Sequence, residues 1–148
     1  MTATNRILIV DDHAPFRSAV REFLSQEPDL EVVGEAGSLG EAISCVGTLS
    51  PHLVLTDLAM PDAHGTDAVI GLRCHFPEVK ILVVSFEQGG EYRYQCRKAG
   101  AAGYVSKDAI YDELRDGIRT VLEGRMYFSA VPPDEMLSDH ARGAAGTN

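Results

Sequence analysis

The amino-acid sequence predicts an α/β protein built on one open parallel sheet with helices on both faces. Short, continuous apolar runs suit strands buried on both sides. Segments with helical periodicity lie between those runs, and the two kinds alternate from residue 7 to residue 122. At 148 residues the chain can bury one core and is short for two ordinary domains.

Ile7-Leu8-Ile9-Val10 is an unbroken apolar run ending in Asp11-Asp12, the pattern of a fully buried strand. Pro15 suits a first helical turn, and Phe16, Val20, Phe23 and Leu24 follow at helical spacing. Pro28-Asp29 then breaks the chain. A weaker strand is expected over Glu31-Val32-Val33-Gly34-Glu35-Ala36. Ser38, with Glu41 three residues on, resembles a capping box opening a helix through Ile43 and Val46. Leu53-Val54-Leu55-Thr56 is a third strand and stops at Asp57. A turn-rich loop through Pro61 and Gly65 precedes a helix carrying Val69, Ile70 and Leu72. Ile81-Leu82-Val83-Val84 is the clearest strand and ends at Ser85. Gly89-Gly90 introduces a polar helix over residues 91–99. Gly103-Tyr104-Val105-Ser106 is a last short strand ending at Lys107, and Asp108 is expected to cap a helix bearing Leu114, Ile118, Val121 and Leu122. Residues 129–148, with Pro132-Pro133 and no sustained periodicity, are expected to be a linker or frayed tail.

The net charge of −9, from 22 acidic against 13 basic residues, repels a phosphate backbone, so this chain alone is not expected to grip nucleic acid. No apolar run approaches the roughly 20 residues of a membrane-spanning helix. The first ten residues hold no cleavage site for secretion. Cys45, Cys74 and Cys96 are odd in number and lack ligand spacing, so buried free thiols in a reducing cytoplasm are expected. Gly34, Gly37 and Gly40, spaced by three, do not form a dinucleotide fingerprint and are expected as turn and helix-entry glycines. His13 and His64 are expected to be loop residues rather than ligands.

The strand ends carry the chemistry. Ligands of open parallel sheets bind beyond the carboxyl ends of the strands. Here those ends read Asp11-Asp12, Asp57, Ser85 and Lys107, which would bring three carboxylates, a hydroxyl and an amine to one edge. Singly, such an Asp is a turn former and such a Lys a surface charge. Clustered carboxylates repel one another unless a cation compensates, and the natural candidates are the Lys107 ammonium and a divalent metal. Oxygen donors without His or Cys suit hard Mg²⁺ sharing its shell with a phosphate. Metal, carboxylate and lysine together suggest phosphoryl transfer, with Asp57 the nucleophile and Ser85 and Lys107 holding phosphoryl oxygens.

Over about residues 5–128 the sequence resembles the response-regulator receiver family. The motifs are Ile7-Leu8-Ile9-Val10-Asp11-Asp12, Asp57-Leu58-Ala59-Met60-Pro61 with Gly65, Val83-Val84-Ser85, and the run from Lys98 to Asp108. Lys107-Asp108 followed by a helix and Gly124-Arg125-Met126-Tyr127-Phe128 is most similar to the NarL/FixJ subfamily. The resemblance implies a single doubly wound (βα)5 flavodoxin-like sheet of strand order 2-1-3-4-5, with residues 1–128 as the receiver domain. It implies a cytoplasmic phosphoacceptor that assists its own phosphorylation and dephosphorylation. Mg²⁺ would be held by Asp11, Asp12, Asp57 and the backbone carbonyl of Ala59, with Asp12 the more direct ligand of the acidic pair. The phosphoryl donor would be a phosphohistidine on a sensor histidine kinase. Ser85 and Tyr104 would act as the switch, altering the face around the fourth and fifth helices. Without the resemblance, Tyr104 would be expected to cover the sheet edge. Phosphorylation-dependent homodimers, and DNA binding only through a helix-turn-helix domain absent from this chain, complete the implied picture.

Two positions depart from the family pattern. Phe86 follows Ser85 where a small residue is usual, so a bulky ring is expected to narrow the site. Ala59 offers no polar side chain to position an attacking water. Three other readings compete. A phosphatase with an aspartyl-phosphate intermediate would need an acid at position 59. A flavodoxin-like cofactor binder would need a phosphate loop where Asp11-Asp12 stands. A pseudo-receiver binding partners without phosphate is a reading that Phe86 keeps open. Within the receiver reading, a complete single-domain relay receiver is the alternative to a transcription regulator.

Overall fold

A computed structural model describes residues 4–86 and 90–128. The elements alternate as β1 (Asn5–Val10), α1 (Ala14–Leu24), β2 (Leu30–Ala36), α2 (Leu39–Leu49), β3 (Leu53–Thr56), α3 (Asp67–His75), β4 (Lys80–Ser85), α4 (Gly90–Ala99), β5 (Gly103–Ser106) and α5 (Ile110–Leu122). A two-residue strand, β6 (Tyr127–Phe128), follows. The main sheet has the order β2-β1-β3-β4-β5-β6, all neighbours parallel. The expected order 2-1-3-4-5 is present, extended at one edge by β6.

Side chains alternate between two cores, as a sheet buried on both faces requires. Leu8, Val10, Val54, Ile81, Val83 and Tyr104 pack with residues of α2, α3 and α4 on one face. Ile7, Ile9, Leu53, Leu55, Leu82 and Val105 pack with α1 and α5 on the other. Pro15 lies in the first turn of α1 as expected. Ser38 accepts from the Glu41 amide, but the Glu41 carboxylate reaches one residue further than the cap, to the Gly37 N–H at 2.6 Å.

Several expectations need correction. Gly34 lies inside β2, not in a turn: Ile7 pairs with Val32 and Leu8 with Gly34, so Val33 is the extra residue of a bulge. Asp108 does not cap the last helix. The Ser106 hydroxyl accepts its N–H at 3.2 Å and opens a 3₁₀ turn, Lys107–Ala109, that leads into α5. The loop after Asp57 contains a small antiparallel hairpin, Ala59–Met60 against Ala63–His64. Cys96 is buried, whereas Cys45 is half-buried and Cys74 exposed; all three are free thiols. Gly89 and the tail at 129–148 lie outside the described residues. Among the described residues, no helix is long and apolar enough to cross a membrane.

Candidate functional site

Strand register brings the site together. Val10 pairs with Thr56, and Thr56 with Val83, so Asp11 and Asp57 are the first residues beyond two adjacent strands. Ser85 pairs with Ser106, which places Lys107 just past the neighbouring strand end. The ladder runs one step beyond the strands, since the Asp57 N–H donates to Val10 and the Asp11 N–H to Ala36. Both carboxylates are therefore carried on fixed backbone.

Asp11 (1% exposed), Asp57 (8%) and Lys107 (9%) are buried, and Asp12 is exposed. One carboxylate oxygen from each of Asp11, Asp12 and Asp57 lies within 4.8 Å of the others. Lys107 Nζ donates to Asp11 Oδ2 at 2.6 Å and to Asp57 Oδ2 at 3.2 Å. The other oxygen of each buried carboxylate accepts a backbone N–H: His13 onto Asp11 at 2.8 Å, and Leu58 onto Asp57 at 2.7 Å. Burial pushes the Asp57 carboxyl above the usual carboxylate range; Lys107 and the Leu58 amide oppose that rise, and Asp11 adds to it. A buried carboxylate that burial disfavours and a lysine sustains is poised for reaction or for a further cation.

The donor set fits a hard divalent ion, because every candidate ligand is a carboxylate oxygen and Asp12 is open to solvent. Ala59 is exposed at the start of the small hairpin, two residues past Asp57, and its side chain is a methyl group. His13 is the residue before α1 and makes no side-chain cap bond; His64 is exposed in the hairpin. Ser85 is buried at the end of β4. Tyr104 is fully buried (0% exposed) on the α2–α3–α4 face rather than covering an edge, with the buried Arg93 guanidinium 4.5 Å from its ring centroid. The strand-end residues thus converge, and Tyr104 lies one layer deeper.

Several contributors escaped the sequence. Phe16, which the helical spacing marks only as apolar, has its ring centroid 4.2 Å from Lys107 Nζ; Phe86, already expected beside the site, has its centroid 5.3 Å from the same nitrogen. Arg17 donates to the Asp11 carbonyl while pairing Glu35 at 3.0 Å, bracing the acidic loop against β2. Asp62 accepts from the amides of Leu39 and Gly40 at 2.8 and 3.0 Å, tying the loop after Asp57 to the start of α2. Pairings between distant segments leave no local pattern to detect.

Comparison with known proteins agrees with this geometry. The profile of the response regulator receiver domain matches residues 7–119. The transcriptional regulatory protein DegU of Brevibacillus brevis is 31% identical over 137 residues, covering 93% of this chain and 58% of that protein. The chain thus spans under two thirds of that relative's length. A two-component response regulator of the LuxR family from Aurantimonas sp. superposes with a TM-score of 0.84 at 32% identity, covering 94% of this chain and 99% of that one. The signal receiver domain of a NarL response regulator from Mycobacterium tuberculosis gives 0.77 at 28% identity, covering 83% and 99%. These likenesses agree with the expected NarL-like subfamily. With the sheet order, the acidic cluster and the bridging lysine in place, the chain belongs to the response regulator receiver domain family.

Proposed function

We propose that Asp57 accepts a phosphoryl group from a phosphohistidine of a sensor histidine kinase, and that the fold carries the consequence to the face formed by α4, β5 and α5. The carrying observation is the Lys107 ammonium bridging two buried carboxylates, with a third within 4.8 Å. A carboxylate oxygen of Asp57 attacks phosphorus, the P–N bond breaks with its electron pair remaining on the imidazole, and an aspartyl phosphate forms. Asp12 and Asp57, with Asp11 and the Ala59 carbonyl, would hold Mg²⁺, which when bound neutralises phosphoryl oxygens. Lys107 transfers its donors to a phosphoryl oxygen, and the Ser85 hydroxyl takes another. The added charge of about −1.5 to −2 acts on Ser85 and, through β4 and β5, on Tyr104.

The receiver domain in this reading is residues 1–128, with 129–148 leading toward an output domain. The whole protein would be a cytoplasmic transcription regulator, binding DNA through that domain and dimerising on phosphorylation. Assistance with its own phosphorylation and dephosphorylation follows from the same groups. Ala59 speaks against a phosphatase, because a methyl group cannot serve as the general acid such an enzyme needs after its nucleophile.

Intact mass after incubation with Mg²⁺ and acetyl phosphate tests the reading. Wild type should gain one phosphoryl group and Asp57→Asn none. No gain under saturating donor would leave a pseudo-receiver, and rapid steady release of inorganic phosphate would indicate a phosphatase.

A further inference from the structure

Lys107 carries its ammonium on a flexible four-carbon stem, and such a group ordinarily leans toward water. Here it is only 9% exposed and keeps contact with Asp11 and Asp57. Part of the reason is aromatic. The Phe16 ring centroid lies 4.2 Å from Nζ and the Phe86 centroid 5.3 Å, both within the range where the negative face of a ring attracts a cation. The two rings arrive from different elements, Phe16 from the first turns of α1 and Phe86 from the residue after β4. Phe16 also packs into the α1–α5 core, so it has a structural role of its own. Phe86 does not. It is 65% exposed, a large apolar ring whose burial contributes little to folding.

We propose that Phe86 is a positioning residue that, with Phe16, clamps the Lys107 ammonium over Asp57. The proposal rests on the phosphoacceptor reading and adds to it the role of an aromatic ring where the family pattern has a small side chain. An aromatic face is suited to this task for a chemical reason. It attracts the ammonium and excludes water without supplying an oxygen acceptor. The donors of Lys107 therefore stay free to pass from Asp11 and Asp57 to an incoming phosphoryl oxygen, while the nitrogen stays in place. A ring acting only as a steric gate would slow entry of the donor; a clamp speeds the transfer.

Three variants in the full chain separate these cases: Phe86→Tyr keeps the ring, Phe86→Leu keeps bulk without it, and Phe86→Ala removes both. Phosphorylation of Asp57 by acetyl phosphate with Mg²⁺ should slow about threefold to tenfold in Phe86→Leu and Phe86→Ala, and stay near wild type in Phe86→Tyr. In two-dimensional carbon–proton spectra, the Lys107 ε-methylene protons should sit upfield in wild type and Phe86→Tyr through ring currents, and move toward their ordinary position in Phe86→Leu. Faster phosphorylation in Phe86→Ala would show a gate and overturn the clamp. Unchanged rates and unchanged Lys107 shifts in Phe86→Leu would overturn it equally. If wild type takes up no phosphoryl group, the phosphoacceptor reading fails, and the Lys107 shifts still decide whether the ring holds the ammonium.

Discussion

Lys107 Nζ lies 2.6 Å from Asp11 and 3.2 Å from Asp57, so the lysine leans on the carboxylate that is not the proposed nucleophile. That asymmetry makes Lys107 a structural cation as well as a chemical one. Deleting its charge in Lys107→Met leaves two buried carboxylates uncompensated, and a loss of about 3 kcal/mol is expected near neutral pH. The Asp57 carboxyl already stands above its ordinary value, first through burial, with Lys107 opposing the rise. A group raised in the folded state contributes stability that is full below its unfolded pKa and lost as the pH rises through the folded one. Without Lys107 that folded value climbs further, so the deficit of Lys107→Met should shrink as the pH falls from neutrality toward the ordinary carboxylate range. Urea midpoints across that range check it; a deficit that stays constant with pH would show that Asp57 is not the group involved.

Asp12 is the exposed member of the acidic cluster, and Asp11 already has both oxygens engaged by Lys107 and the His13 amide. Mg²⁺ binding to the folded state alone should stabilise the wild type by about 1.4 kcal/mol at a tenfold excess over its dissociation constant. Asp12→Ala should lose most of that gain while keeping its metal-free fold. Thermal melts with and without Mg²⁺ measure both, and an equal Mg²⁺ response in the variant would remove Asp12 from the ligand set.

Asp62 acts as a cap delivered from elsewhere in the chain. Its two oxygens take the amides of Leu39 and Gly40 at the start of α2, donors that a helix cannot satisfy internally. The amides of Gly40 and Leu39 hold the Asp62 carboxyl below the usual range. Its stabilising effect is therefore present above the unfolded carboxylate pKa and lost as pH falls through the lowered one. Asp62→Ala should raise hydrogen exchange at Leu39 and Gly40 severalfold, leaving the last turn of α2 unchanged. Exchange indistinguishable from wild type at those two amides would mean that the loop and helix are not coupled this way.

The strand ends were legible because each is a local event: an apolar run stops at a charged or hydroxylated residue. Asp11, Asp57, Ser85 and Lys107 were all placed by that rule, and the parallel register brought them to one edge. What the sequence hid is pairing across distance. Phe16 is indistinguishable from any core-facing helical Phe until Lys107, in the turn after β5, approaches its ring. Arg93 sits in a helix that is polar in sequence yet is buried with its guanidinium over the Tyr104 ring, a placement that nothing local signals. Asp108 was the natural cap by composition, but Ser106, two residues earlier, has the geometry to accept its amide. The bulge at Val33 and the strand at Tyr127 likewise depend on partners rather than on their own residues.

The sixth strand supplies a test of its own. Tyr127 pairs with Gly103, its N–H donates to Ala102 at 3.0 Å, and its hydroxyl donates to Glu113 on α5. A Cβ on Gly103 would lie 2.6 Å from the Tyr127 carbonyl oxygen and 2.7 Å from Leu82 Cδ1. The leucine can rotate away, but a backbone carbonyl in a paired strand cannot move without breaking the pairing. Gly103→Ala should therefore cost about 1–3 kcal/mol, the range of an overpacked site. It should also detach Tyr127 selectively, with faster amide exchange there while the β4–β5 ladder at Val83 and Val105 stays protected. A variant as stable as wild type, with Tyr127 still protected, would show that the edge strand tolerates displacement. It would also place the need for glycine at position 103 elsewhere than in this close approach.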